Sequence, residues 1–564
     1  MWSPIQLSEW LDERLGTREI RVALFDRHIP KSGPWSEWIY TLGSVLLFFF
    51  IMQAVTGMML AMNYTPSPDH AFDAVRYIST TAPFGQVIRG IHSWGASAMV
   101  VAVGAHMLTV FLTGGYKYPR ELTWVTGVVL LLIVMLFGFT GYLLPWNQKS
   151  YWATVVGTNI AGAAPVLGTY IKEFMRGGRE VGPQTLTRFY AFHVLMLPAA
   201  IIGVVAVHLF MVVRQGISAP PSRRNDYAGI TGVSIEEQRR RADDEYHHSK
   251  EVGESFYPFY LAKDAVAVLI CFLVILTLAI LSPAEIGEIA DPGSTSYNPR
   301  PDWYFLFLFQ ALKYFPGSLE ALVAVFLPGI ALVILILAPF YDLRMTVSPL
   351  ERPIATTLAT AALLGVLALT VIGARSPLVS PYVPELPTVA EGHRLYHELN
   401  CSYCHSVNGR GSAIGPDLAL DQFKHDQAWI TTHLETPGAI VRPGVKMAPL
   451  GLLPQEKSDL LDYLNEIQGG GPYSDKAPKL FYRSCGKCHK VAGHGGAKGP
   501  DLSGIGLTRT RSFIHRYTED PKSLYSKSDM PSFLEPAGKL SHEEIEDIAR
   551  FLAHQRSPAQ AQKK

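Results

Sequence analysis

Seven stretches of this 564-residue sequence, at 39–62, 87–111, 124–144, 190–213, 262–281, 321–340 and 354–373, are long and apolar. A bilayer core takes about 20 residues of helix, and a segment in lipid must satisfy its backbone polar groups internally. Each stretch is therefore expected to be a membrane-spanning helix, which dictates an all-α, multi-pass architecture. Composition agrees, with 48% hydrophobic and only 17% charged residues, against about 25% charge in soluble domains. A net charge of +1 excludes an electrostatic nucleic-acid binder.

Charge placement orients the spans. With the N-terminus inside, segments 1–38, 112–123, 214–261 and 341–353 hold 16 Lys and Arg, against 8 in 63–86, 145–189 and 282–320. The positive-inside rule thus puts the N-terminus in the cytoplasm. An odd number of spans then puts everything after residue 375 outside, as expected for a bacterial cytoplasmic-membrane protein. Residues 1–38 have no signal-peptide core, because Asp12, Glu13, Arg14 and Arg18 interrupt every apolar run. They read as an amphipathic arm on the membrane surface. The expected units are a four-helix domain at 39–215, a cytoplasmic linker at 216–261, a three-helix domain at 262–375 and a Pro-rich hinge at 376–392. Two small outer domains follow at 393–468 and 473–556, joined through Gly469, Gly470 and Gly471.

Four histidines lie inside the spans. His92 and His106 are 14 residues apart, and His193 and His208 are 15 apart. Fourteen residues of helix make about 21 Å and close to four turns, so each pair occupies one face at two depths. Both spans run from outside to inside, which sets His92 against His193 near the outer surface and His106 against His208 near the inner one. Two stacked bis-histidine sites suit two b-type haems. One such histidine alone would read as a packing residue; four at matched depths would not. Gly43 and Gly57, and Gly127 and Gly141, repeat the interval of 14, leaving room for a flat macrocycle. Arg89, one turn before His92, is placed to pair with a haem propionate.

Four of the five cysteines form two C-x-x-C-H motifs, Cys401-Ser-Tyr-Cys404-His405 and Cys485-Gly-Lys-Cys488-His489. Each offers two thiols for haem vinyl groups and a histidine for iron. A zinc knuckle would need further ligands, and an internal repeat argues against one. Gly415-Pro-Asp-Leu418 recurs 84 residues on as Gly499-Pro-Asp-Leu502, the same offset as the cysteines. Met447 and Met530 follow the two histidines by 42 and 41 residues as candidate sixth ligands, ahead of His433, His494 and His515. Helical patterns follow at 454–467 and 541–554. The fifth cysteine, Cys271, reads as a packing residue in a span. His247, His248 and Asp226 read as solvated groups of an inner loop.

The stretches Arg89-Gly-Ile-His92, Tyr118-Pro-Arg-Glu-Leu-Thr-Trp124-Val-Thr-Gly127, Gly141-Tyr-Leu-Leu-Pro-Trp146 and Leu186-Thr-Arg-Phe-Tyr190 resemble cytochrome b. Its b6 branch is the closest, with a second histidine pair likewise spaced by 15. Residues 262–375 resemble subunit IV of the cytochrome b6f complex, and the two outer domains resemble class I cytochrome c, where such a methionine is the sixth ligand. The resemblance implies a seven-helix, four-plus-three cytochrome b bundle followed by two small helical c domains. It also implies a quinol–cytochrome c reductase activity within a Rieske/cytochrome b complex, with electron bifurcation at an outer quinol site. Two b-type and two covalent c-type haems follow. The implied partners are a Rieske iron–sulfur protein, quinol and quinone, an outer cytochrome c or terminal oxidase, membrane lipid and a second copy of the complex.

Two positions depart from the family. Its Pro-Glu-Trp-Tyr motif at the quinol site is here Pro301-Asp302-Trp303-Tyr304. Asp302 keeps a carboxylate able to accept a quinol proton, on a side chain one methylene shorter. The cysteine that anchors an extra haem in b6 aligns with Thr41, so no third membrane haem is expected. The apolar loop 146–180 is expected to form the quinol pocket with 301–304, lined by Tyr142 and Tyr304. The competing reading is a non-bifurcating electron conduit or anchor, which has no use for that pocket. A solute transporter would show acidic pairs near the midplane, and these spans have none.

Overall fold

A computed structural model describes residues 3–556 apart from 19–21, 23–24, 26–27, 31–35, 219–232, 291–299, 316–320, 376–385, 400, 409, 412–414, 420–424, 426, 437–449, 525–527 and 535–538. Helix α1 (Pro4–Leu15) opens the chain, its N-terminus closed by a Ser3–Gln6 capping box. The seven apolar stretches form seven helices long enough to cross a membrane: α2 (Trp38–Ala61), α4 (Gly85–Leu112), α5 (Glu121–Tyr142), α8 (Pro183–Gln215), α10 (Phe256–Leu281), α12 (Leu322–Tyr341) and α13 (Pro353–Arg375). Between them stand shorter helices. These are α3 (Pro68–Thr80), α6 (Gln148–Gly162), α7 (Gly168–Arg176), α9 (Ile235–Glu251) and α11 (Trp303–Leu312).

Helices α2, α4, α5, α8 and α10 share one core, built on Phe49, Met52, Met99, Ile133, Ile201 and Ile275, with Cys271 packed at its edge. At Gly90 helix α4 comes so close to α10 that a Cβ there would stand 2.8 Å from that of Ala279. Small residues of this kind let helices approach in lipid, where packing rather than water drives association. The four-helix and three-helix parts are also locked together by a charge cluster. Lys117 Nζ meets Asp342 Oδ1 at 2.6 Å, and Arg352, also buried, donates to the Tyr116 hydroxyl at 3.0 Å.

Helix α8 begins several residues before the expected 190, since Pro183 starts a turn that buries Leu186 and Phe189 against Trp146, Tyr151 and Val181. Its Phe192–Met196 segment is a π-helical turn, followed by Pro198, which has no N–H to continue an α-helical ladder. Such a turn absorbs one extra residue. That keeps His193 and His208, 15 apart, in phase with the 14-residue pair on α4. Two further features depart from expectation. The 216–261 linker carries the whole of α9, on which His247 and His248 are exposed. The arm is tied down by strand β1 (His28–Ile29), paired antiparallel with β2 (Glu254–Ser255). Asp226 and the hinge prolines Pro377, Pro381 and Pro384 lie outside the described residues.

The C-terminal part is two small helical units with separate cores. The first contains α14 (Pro387–Glu398), α15 (Gln427–Glu435), α16 (Pro454–Ile467) and the hairpin β3 (Ser406–Val407)–β4 (Arg410–Gly411), around Tyr396, Leu460 and Tyr463. The second contains α17 (Ala477–Ser484), α18 (Arg511–Glu519), α19 (His542–Ala553) and the hairpin β5 (Lys490–Val491)–β6 (His494–Gly495), around Phe481, Ile545 and Ile548. Arg511 joins them, with Glu466 of the first domain 2.8 Å away and Glu546 of the second at 3.0 Å.

Candidate functional site

The structure brings the membrane histidines together across α4 and α8. The rings of His92 and His193 face each other nearly perpendicular, with centroids 6.4 Å apart. Two metal–nitrogen bonds of about 2 Å each would leave about that separation between imidazoles sharing one metal ion. His106 lies within electrostatic reach of His208.

Threonines from other helices orient three of these rings. Thr56 Oγ1 stands 2.9 Å from His92 Nδ1, Thr126 Oγ1 2.9 Å from His208 Nδ1 and Thr140 Oγ1 3.1 Å from His193 Nδ1. Each hydroxyl donates its own proton to a carbonyl in its own helix, of Met52, Thr123 and Leu136 respectively. The oxygen is thus left to accept from Nδ1–H, which puts the ring's lone pair on Nε2. That is the neutral form that ligates iron. The four glycines each stand beside one ring. A Cβ at Gly43, Gly57, Gly127 or Gly141 would come 3.8 Å from His106, 3.3 Å from His92, 3.6 Å from His208 or 2.5 Å from His193. Three of the glycines directly follow the three threonines, so one Thr-Gly step supplies both acceptor and space. Arg89 donates to the carbonyls of Ala284 and Glu285 at 2.7 and 2.6 Å, binding the N-terminal end of α4 to the chain after α10.

Beside the His92–His193 pair, the 301–304 segment docks between α4 and α5. Trp303 Nε1 reaches Ser97 Oγ at 3.4 Å, and Tyr304 lies against Gly138, where a Cβ would stand 3.3 Å from its ring. Tyr304 hydrogen-bonds Asp302, and burial together with that carboxylate pushes its phenol pKa up. The other partner of Asp302 comes from α6: Lys149 Nζ is 2.6 Å from Asp302 Oδ1 and lies 5.6 Å from the centre of the Tyr142 ring. Asp302, Tyr304, Tyr142 and Lys149 therefore form one cluster. Near His106, Ser44, next to Gly43, donates to Asp264 at 2.8 Å.

The two C-x-x-C-H segments are built alike. The His405 and His489 amides bond the carbonyls of Cys401 and Cys485, closing one turn in each motif. His405 Nδ1 lies 2.9 Å from the Pro416 carbonyl, and His489 Nδ1 3.0 Å from that of Pro500. Again Nδ1–H is engaged and Nε2 is left for a metal. The Gly-Pro-Asp-Leu repeat accounts for this geometry. A Cβ at Gly415 or Gly499 would stand 2.7 or 2.5 Å from the imidazole, and Asp417 or Asp501 caps the turn that follows. Burial pushes the thiols of Cys401 and Cys485 up, to about 11 and about 12. Among the described residues, neither cysteine pair gathers the further ligands a zinc knuckle needs.

Comparison with known proteins agrees with this arrangement. The cytochrome b/b6/petB family profile matches residues 30–216, the cytochrome b (C-terminal)/b6/petD profile 289–384, and the cytochrome c profile 389–468 and 474–556. A cytochrome bc complex cytochrome b subunit of Chlorobaculum thiosulfatiphilum is 38% identical over 349 residues, 62% of this chain and 76% of that protein. The chain belongs to the cytochrome b family. A menaquinol:cytochrome c reductase cytochrome b subunit of Geobacillus thermodenitrificans is 43% identical over 220 residues, 38% of this chain and 98% of that protein. A chain of a hyperthermophilic respiratory Complex III aligns with a TM-score of 0.54 at 27% identity, over 69% of this chain and 95% of that one.

This cytochrome b, of the bc/b6f-type quinol:cytochrome c reductases, thus carries cytochrome c domains in the same chain. Met530 is half-buried, its amide donating to Ser528, whereas Met447 lies outside the described residues. His433 stacks on Trp429 and lies within electrostatic reach of His405, while His494 is exposed on β6. The residues that sequence reasoning missed are Thr56, Thr126 and Thr140, legible as Thr-Gly steps, and Lys149, which left no signal.

Proposed function

We propose that this cytochrome b oxidises quinol at an outer pocket formed by the 146–180 loop and residues 301–304, with bifurcation of the two electrons. His92 with His193 and His106 with His208 would hold two non-covalent b-type haems. His405 and Met447, with thioethers from Cys401 and Cys404, and His489 and Met530, with thioethers from Cys485 and Cys488, would hold two c-type haems. When bound, these groups would supply one-electron chemistry, dividing each quinol's two electrons between a quinone on the inner side, reduced once for every two quinols oxidised, and a Rieske iron–sulfur protein on the outer side. Thr41 donates to the Trp38 carbonyl at 2.8 Å and has no thiol, so no further covalent haem belongs there.

The residues' own work is binding and proton handling. Asp302 accepts the proton of a quinol hydroxyl as a carboxylate, steadied by Tyr304 and Lys149. Its side chain is 30% exposed, so it can turn to outer water and release the proton on that side. Tyr142 and Tyr304 line the ring pocket, polar at one end and apolar along the body. Arg89 would pair with a propionate of the outer haem. The chain would sit N-terminus inside in a bacterial cytoplasmic membrane, in a homodimeric complex among lipid. It would deliver electrons to an outer cytochrome c or terminal oxidase.

The observation that carries this reading is the Lys149–Asp302–Tyr304 cluster lodged against α4 and α5 beside the outer histidine pair. Asp302→Asn is expected to lower quinol-dependent reduction of the c haems by about 10²-fold or more, with haem content and absorption spectra intact. A non-bifurcating conduit would keep its rate in that variant.

A further inference from the structure

The second c domain holds a side-chain cluster that electron transfer does not use. His515 and Glu519 are one turn apart on α18, and His542 is the first residue of α19. One ligand atom from each lies within 4.8 Å of the others. His542 Nδ1 is 2.5 Å and His515 Nδ1 3.7 Å from the same Glu519 Oε1. That oxygen is buried and no hydrogen bond reaches it, so the two imidazole nitrogens are what it faces. On the other side of His515, Glu546 stands 3.7 Å from Nε2 but is already held by Arg511 and Arg550.

The duplicated first domain serves as an internal control. The 84-residue offset of the haem motifs places Thr431 and Glu435 where the second domain has His515 and Glu519. The N-caps of the final helices, Leu453 and Ser541, place Pro454 where it has His542. There Glu435 takes Lys457 as an ordinary ion-pair partner at 2.5 Å. A c domain of this kind therefore builds both helices without the cluster, and packing does not explain it.

Two imidazoles and one carboxylate are a donor set for zinc and similar divalent transition metals, with a fourth position left to water. Magnesium and calcium favour oxygen donors throughout. We propose that His515, Glu519 and His542 bind a zinc-class divalent cation. Metal–ligand bonds of about 2.0–2.2 Å are reached mainly by turning His542, whose side chain is 72% exposed. Glu519 ends α18 and His542 begins α19, so the ion closes the base of the loop that carries Met530. A clip there restricts the open conformations of that loop. This consequence rests on Met530 as an iron ligand; the binding itself does not.

The test uses the full haem-loaded chain in detergent, stripped with chelator and titrated with Zn²⁺, with bound metal measured directly. Wild type is compared with His542→Ala, Glu519→Gln and His494→Ala, the last altering an exposed histidine of the same domain. One low-micromolar Zn²⁺ equivalent is expected in wild type and His494→Ala, weakened by about tenfold or more in the other two. In wild type and His494→Ala, but not in the other two, Zn²⁺ should also raise the denaturant midpoint at which the methionine-to-iron charge-transfer band of the second c haem disappears. Equal Zn²⁺ uptake by all four proteins overturns the site. Selective uptake without a midpoint shift overturns the clip. Absence of that band in metal-free wild type overturns the Met530 assignment and leaves the site standing.

Discussion

In the membrane part, His193 is oriented by Thr140, on another helix and 53 residues away in sequence. In the second c domain, His489 is oriented by the Pro500 carbonyl, 11 residues on. Both devices hold Nδ1–H and free Nε2, but they differ in what they depend on. The c site is a local module whose acceptor is main chain, so it can be duplicated intact, as Pro416 and Pro500 illustrate. The membrane site is tertiary: α2 and α5 carry none of the four histidines, yet their Thr-Gly steps stand against the imidazoles on α4 and α8. Single side-chain changes on those supporting helices should therefore damage b-haem sites, whereas c sites should tolerate changes to their acceptor residue.

The strongest break of that comparison is Gly141→Leu. Its Cβ would stand 2.5 Å from the His193 imidazole, and α5 cannot retreat without unpacking Ile133 and Val134 from the core. Loss of the outer b haem is expected, halving b content against c by pyridine haemochrome and abolishing quinol oxidation. Unchanged b content would show that α5 does not shape the pocket.

A milder change separates the two devices. Thr140→Val keeps the volume but removes the acceptor for His193 Nδ1–H, and loss of such a partner typically costs about 10–100-fold in metal affinity. Weaker retention of the outer b haem and a raised midpoint potential are expected in a redox titration. Pro500→Ala keeps the carbonyl and should leave the potential of the second c haem unmoved. If both variants shift equally, the distinction between side-chain and main-chain support fails.

What the sequence made legible follows the same division. Spans were readable because lipid imposes apolar composition over a fixed length, and the c sites because their geometry lies within one short segment around Gly-Pro-Asp-Leu. The histidine pairing was readable from spacing, but the π turn that reconciles 15 with 14 required the structure; only Pro198 hinted at it. Helix α9 is marked in the sequence by Ser234, which accepts from the Glu237 amide as an N-cap. The His515–Glu519–His542 cluster contains a legible one-turn His–Glu spacing on α18, yet its juxtaposition with His542 of α19 is tertiary, and His515 reads from sequence only as a rival haem ligand. Lys149 reaches Asp302 across 153 residues of sequence, and no periodicity encodes the meeting of a first helical turn with a distant loop.

That last contact sharpens the comparison by asking whether distance in sequence or burial sets the strength of support. Lys149 and Asp302 come from far apart, as Thr140 and His193 do, but their side chains are 49% and 30% exposed. An exposed ion pair contributes only about 0–1 kcal/mol and is screened by salt. Lys149→Met should accordingly leave haem content and thermal stability unchanged and slow quinol oxidation by less than about tenfold, equivalent to less than about 1.4 kcal/mol. In wild type the rate should fall towards that of the variant as ionic strength rises, because the cation that steadies Asp302 is screened; the variant should be nearly insensitive to salt. A loss in Lys149→Met as deep as in Asp302→Asn would mean that the pair is desolvated during turnover, and burial in the working complex, not exposure in the free chain, would then set its weight.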